Sequence, residues 1–133
     1  MKIAISAMGT TLDAEIDPRF GRCQYFIIVD PDTMKFEALE NSGAMAGGGA
    51  GISTAQTIAG KGIEAVLTGN CGPNAYQVLE AASIKVVTGV SGKVQDAIQN
   101  YQSGKLKTSS QPNVAEHFGM GRGMGGGRGM GRR

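Results

Sequence analysis

The chain opens on a run that is almost continuously apolar and compatible with β structure, Lys2-Ile3-Ala4-Ile5-Ser6-Ala7, the pattern of a central strand covered on both faces. Residues 8–22 follow without clean periodicity, and an unstructured connection of about 15 residues is longer than the usual loop and often functional. Tyr25-Phe26-Ile27-Ile28-Val29 predicts a second strand, and Pro31-Asp32-Thr33 a turn. Met34, Phe36 and Ala38 then alternate with Lys35 and Glu37, as in a half-exposed strand, so the two segments read as a hairpin with the third strand at the sheet edge. Residues 43–51, rich in Gly and Ala, predict a loop. Ile52, Ala55, Ile58 and Ala59 recur at helical spacing up to Gly60 and Gly62. Ile63–Leu67 predicts a strand, Gly69-Asn70-Cys71-Gly72 a tight turn, and Pro73 the first residue of a helix whose apolar stripe is Ala75, Val78, Leu79 and Ala82. Ile84–Val87 predicts the fifth strand, and Val94, Ala97, Ile98 and Tyr101 a last helix closing near Gly104.

The order β-β-β-α-β-α-β-α contains two βαβ units, which require parallel strands and right-handed crossovers. Helices covering a sheet give a layered α/β domain. With the second strand antiparallel to its neighbours, strands one, three, four and five end at one edge and the second begins there. Residues 8–22, 43–51 and 69–73 all fall at that edge, and ligands of open α/β sheets bind outside the carboxyl ends of the strands.

Composition narrows the functional classes. A chain of 133 residues fits a single core, and no run reaches the roughly 20 apolar residues of a membrane span. The amino terminus lacks the long apolar core and small-residue cleavage site of a signal peptide, so a cytoplasmic protein is expected. Two cysteines without CxxC spacing do not make a disulfide framework. The formal charge of +2 includes the four arginines of residues 119–133, a stretch with no acidic residue, so the remainder carries −2 and general nucleic-acid binding by the body is not expected. Residues 119–133 also hold eight Gly and three Met, a composition expected to stay disordered when free. The division expected is a folded domain over residues 1–107 and a Gly/Met/Arg tail over 108–133.

Several residues at the predicted edge carry candidate chemistry. The glycine loop, with Gly48, Gly49 and Gly51, leads into a helix and lets main-chain amides approach an anion, or it is simply a mobile loop of small residues. It lacks the Gly-Lys-Ser/Thr of a P-loop. Asn70, Cys71 and Gly72 precede a second helix N-terminus, where a thiol is expected to have a lowered pKa and to ligate metal; otherwise Cys71 is a small apolar side chain packed in a turn. Cys23 begins the second strand at the same edge. Two thiols are too few for a closed zinc site, which leaves an open or exogenous metal–sulfur site. Arg19 and Arg22 suit an oxyanion or an anionic sulfide cluster, or else pair with Asp13, Glu15 or Asp17. His117, the lone histidine, and the tail methionines offer further soft or borderline ligands. No acid–base or nucleophilic triad can be assembled, which argues against an enzyme.

Ile16-Asp17-Pro18-Arg19-Phe20-Gly21-Arg22-Cys23-Gln24-Tyr25-Phe26 resembles the signature loop and second strand of the dinitrogenase iron–molybdenum cofactor biosynthesis family. Gly69-Asn70-Cys71-Gly72-Pro73-Asn74-Ala75 resembles its second loop, and residues 92–106, from Gly92 to Leu106, its final helix. The resemblance covers residues 1–107 and leaves out the tail. It implies a three-layer α/β/α domain with a mixed five-stranded sheet and ribonuclease-H-like topology. It also implies non-catalytic binding, carriage or insertion of an iron- or molybdenum-containing sulfide cluster, in one case with copper, held transiently between a cluster donor and an acceptor protein. Some relatives place histidine where this chain has Arg19, so a cluster held without a histidine ligand, contacted by Arg19 and Arg22 with Cys23 and Cys71 as candidate ligands, suits these residues better. Two other readings remain at this level: an RNA- or polyanion-binding module acting through the tail, and a phosphate or small-molecule site on the glycine loop.

Overall fold

The structure, a computed structural model, describes residues 1–41 and 50–108. Gly48, Gly49 and His117, and the tail beyond Thr108, lie outside the described residues. The elements are β1 (Lys2–Ala7), β2 (Tyr25–Asp30), β3 (Lys35–Glu40), α1 (Ala50–Ala59), β4 (Ile63–Leu67), α2 (Pro73–Ala81), β5 (Lys85–Val87) and α3 (Val94–Gln102). They form one five-stranded sheet in the order β3-β2-β1-β4-β5. β2 runs antiparallel to β1 and β3, whereas β4 is parallel to β1 and to β5.

Burial on both faces explains the near-continuous apolar run of β1, where Ile3, Ala4, Ile5 and Ala7 are all buried. Ala4 packs with Phe26, Ile28 and Val66 against Ala55 and Ile58 of α1 and Ala75 and Leu79 of α2. Ile3 and Ile5 pack on the other face with Ile27, Val29 and Leu67 against Val94, Ala97 and Ile98 of α3. The chain is thus a three-layer α/β/α domain with a mixed five-stranded sheet.

Several details differ from the sequence pattern. The third strand starts at Lys35, because Met34 takes a left-handed φ of 61° to close the hairpin, its N–H reaching the Asp30 carbonyl at 2.7 Å. The first helix begins at Ala50, so Gly51 sits in the helix and not in the loop. Residues 8–22 are not a loose connection. Isolated bridges join Ala7 to Ile16, Glu15 to Lys93 and Arg19 to Asn70, and the buried side chains of Ile16 and Phe20 anchor the segment.

That segment meets the β4–α2 turn very closely. The Asn70 N–H donates to the Pro18 carbonyl at 2.7 Å, the Phe20 N–H to the Asn70 carbonyl at 3.1 Å, and the Asn70 side-chain amide again to Pro18 at 3.1 Å. A Cβ at Gly69 would lie 2.7 Å from the Pro18 Cα and 2.9 Å from its carbonyl oxygen, so only glycine lets the two backbones come together. Gly69→Ala is expected to cost about 1–3 kcal/mol by forcing these loops apart. Urea unfolding measures it, and a cost below about 0.5 kcal/mol, the range of an ordinary surface substitution, refutes the contact as a constraint.

Candidate functional site

Two of the three loop regions expected to converge, residues 8–22 and 69–73, do so, and the start of α1 meets them; residues 42–49 of the glycine loop lie outside the described residues. Phe20 and Gly21 from the first segment, Gly51 and Ile52 from α1, and Gly72, Pro73, Asn74 and Ala75 from the start of α2 enclose a cavity of about 170 Å³ at the carboxyl edge of the sheet. Five of its eight lining residues are glycine, proline or alanine. Gly72 is the N-cap of α2, with φ −70° and ψ 170°, no side chain caps this helix end, and Pro73 occupies the first turn without an N–H of its own. First-turn amides of a helix have no partner within the helix, so they and the helix dipole make this wall suited to an acceptor carrying negative charge.

The expected site residues take distinct places. Gly51 and Gly72 line the cavity. Asn70 lies in the stitch that holds the two loops. Arg19 projects outward, its side chain 62% exposed, yet its N–H, Nε and Nη2 all donate to the carboxylate of Asp17, which is buried. These bonds and the Asp17 charge push the Arg19 pKa up and fix the stem of the guanidinium. Arg22 is exposed on the same segment.

Cys23 and Cys71 are both fully buried, in the cluster that also contains Phe20 and Ala75 from the cavity wall. The Cys23 thiol donates to the Phe20 carbonyl at 3.4 Å. Burial, with a smaller contribution from the Asp17 charge, pushes the Cys23 pKa up to about 12, and the donors that oppose it, the Asn41 amide among them, do not reverse it. Burial also pushes Cys71 up to about 12. This corrects the sequence expectation of a lowered Cys71 pKa: removing the thiolate from water outweighs the favourable helix end. Among the described residues, no group of three or more His, Cys, Asp and Glu side chains could hold a metal ion. None of the helices there is long and apolar enough to cross a membrane.

Two buried polar residues escaped the sequence reading. The Asn41 side-chain amide donates to the carbonyls of Cys23 at 2.9 Å and Gly21 at 3.3 Å and approaches the Cys23 Sγ at 3.7 Å. Its Oδ1 accepts from the Thr54 hydroxyl at 3.0 Å, and Thr54 also lies 3.4 Å from the Gly21 carbonyl. Thr54 occurs four residues before Ile58, on the flank of the α1 apolar stripe, which is the one signal the sequence offered.

The raised thiol pKa values fix a pH dependence. Both thiols stay protonated in the folded chain above the pH at which they ionise once unfolded, so their stabilising effect is complete below about pH 9, the unfolded pKa. It falls as pH rises toward 12. Denaturant titrations from pH 7 to 11 are expected to show stability declining above pH 9, with a shallower decline in Cys71→Ala. An identical slope in that variant refutes burial as the cause.

A family model described as dinitrogenase iron-molybdenum cofactor matches residues 1–104. The apo orange protein from Desulfovibrio gigas is similar in structure, with a TM-score of 0.82 and 41% identity over 85% of this chain and 96% of its own. A putative NifB protein from Thermotoga gives a TM-score of 0.73 and 34% identity, covering 86% of this chain and 97% of its own. An uncharacterized protein of Methanocaldococcus jannaschii is 29% identical over 111 residues, 80% of this chain and 94% of the relative. The model spans most of the chain, and two of the structural relatives exceed 30% identity over nearly their full length. This chain therefore belongs to the dinitrogenase iron-molybdenum cofactor family, whose common theme is binding or biosynthesis related to that cofactor.

Proposed function

We propose that this protein binds and carries an anionic iron- or molybdenum-containing sulfide cluster, or a precursor of one, between a donor and an acceptor protein, without catalysing a reaction on it. The observation that carries this reading is the cavity framed by Gly21, Gly51, Ile52, Gly72 and Pro73, where the first turns of two helices and the Phe20–Gly21 segment converge. A sulfide cluster presents negatively charged acceptors, and first-turn amides present donors with a favourable dipole. Arg22 and Arg19, the latter with its charge partly offset by Asp17, present guanidinium groups on the same segment that favour approach of an anionic cargo.

The thiols decide how the cargo is held. Both are neutral near pH 7 and closed off from solvent. Direct ligation would require each to lose a proton and leave the core. A cluster that brings its own sulfide ligands and accepts hydrogen bonds from the main chain needs neither change. Family membership supports the choice of cargo, and the lack of an acid–base constellation in the sequence supports carriage over turnover.

Titrating the apo protein with tetrathiomolybdate, alone and with copper or iron, is expected to give a protein-dependent change in the visible charge-transfer spectrum. Gly72→Val adds a side chain to a residue of the cavity lining, at a φ that any residue adopts, and is expected to weaken binding about tenfold or more, roughly 1.4 kcal/mol. Cys71→Ala is expected to bind within about threefold of the parent, since it removes no charged ligand. Spectra that match those of the free anion at every protein concentration overturn the reading.

A further inference from the structure

Several carbonyl oxygens between Asp17 and Gln24 accept hydrogen bonds from other parts of the chain. Asp17 accepts from the Ser6 hydroxyl at 2.7 Å, and Pro18 from both nitrogens of Asn70. Phe20 accepts from the Cys23 thiol, Gly21 and Cys23 from the Asn41 amide, and Gln24 from the Asn41 N–H at 3.0 Å. Gly21 matters most among these, because it lines the cavity. A carbonyl oxygen facing that space would set partial negative charge against an anion. Asn41 and Thr54 both lie within hydrogen-bonding reach of it and are themselves buried, so the oxygen is held on their side of the segment.

The pair also joins two remote parts of the chain. Asn41 immediately follows β3 and Thr54 lies in the first half of α1, so their bond at 3.0 Å ties together the ends that flank residues 42–49. Ile52 and Gly51 of the cavity are two and three positions before Thr54 on the same helix. One buried hydrogen-bonded pair therefore sets the spacing between the Phe20–Gly21 wall and the α1 wall.

We propose that Asn41 and Thr54 are positioning residues that make the cavity selective for anions, by holding the Gly21 carbonyl out of it and fixing the distance between two of its walls. The inference rests on the cargo reading above and adds the residues that enforce its charge preference. Neither residue touches the cargo. Both act through Gly21 and the start of α1.

The test uses the full chain and tetrathiomolybdate as probe. Thr54→Val keeps the shape and removes the hydroxyl, Thr54→Ser restores it, and Asn41→Leu removes the amide at similar volume. Ile63→Val, at the start of β4 and the opposite edge of the sheet, is the control for lost stability alone. Asn41→Leu is expected to weaken binding about tenfold and Thr54→Val at least about threefold, in the range of one or two lost hydrogen bonds. Thr54→Ser is expected to recover most of the affinity, and Ile63→Val to lower Tm without changing it. If the parent binds and Asn41→Leu and Thr54→Val, folded by circular dichroism, bind equally well, this inference fails while the cargo reading stands. Equal weakening in Ile63→Val, Asn41→Leu and Thr54→Val likewise overturns it, since loss then follows stability. A parent that does not bind removes both.

Discussion

The close passage of Pro18 over Gly69 is the constraint on which the site depends. Two backbones lie where a single methyl group would collide with both Cα and carbonyl of the neighbour. Reciprocal main-chain bonds between Pro18, Phe20 and Asn70 then convert that proximity into fixed geometry. Phe20 is carried into the core beside Phe26, ring centroids 5.3 Å apart in an edge-on arrangement, and Gly21 is delivered to the cavity. A longer connection between β1 and β2 would otherwise lose its order to chain entropy.

The same burial that secures this packing determines the state of the sulfur. A helix N-terminus favours a thiolate by a fraction of a charge, a field most effective when the thiol also keeps contact with water. Cys71 has no such contact. Desolvation prevails, and the sulfur behaves as a small apolar group within a cluster of aromatic and aliphatic side chains. Cys23 follows the same logic, with the Phe20 carbonyl and the Asn41 amide beside its sulfur. The edge consequently presents main-chain groups and two arginines, one of them held by a buried carboxylate, while both sulfurs lie inside the core.

Much of the architecture was legible because it rests on periodicity. The two-sided run of β1 and the helical stripe of α2 each specify an element, and the hairpin makes β2 antiparallel to β3; the alternation of β3 located the strand but not its buried face, since Met34, Phe36 and Ala38 are exposed and Leu39 packs on the core. The family-like segments Ile16–Phe26 and Gly69–Ala75 pointed to the edge where the structure places the cavity. The fastening of residues 8–22 was not legible, since bridges between main-chain groups leave no mark on side-chain pattern. Asn41 was hidden for a related reason: a polar residue between a strand and a glycine-rich stretch looks like punctuation until Thr54 is found against it. The sign of the Cys71 shift required knowledge of solvent exposure, which spacing does not supply.

Much of the cavity rim is glycine, proline and alanine, so for the proposed cargo part of the surface it offers is peptide and carries little side-chain identity. Such a surface responds to torsion angles and to the volume left vacant, and less to which functional groups are encoded there. Comparisons scored on conserved polar residues will therefore under-read it. A binding preference here can drift through a change in the small residues of the frame, with the charged positions left as they are.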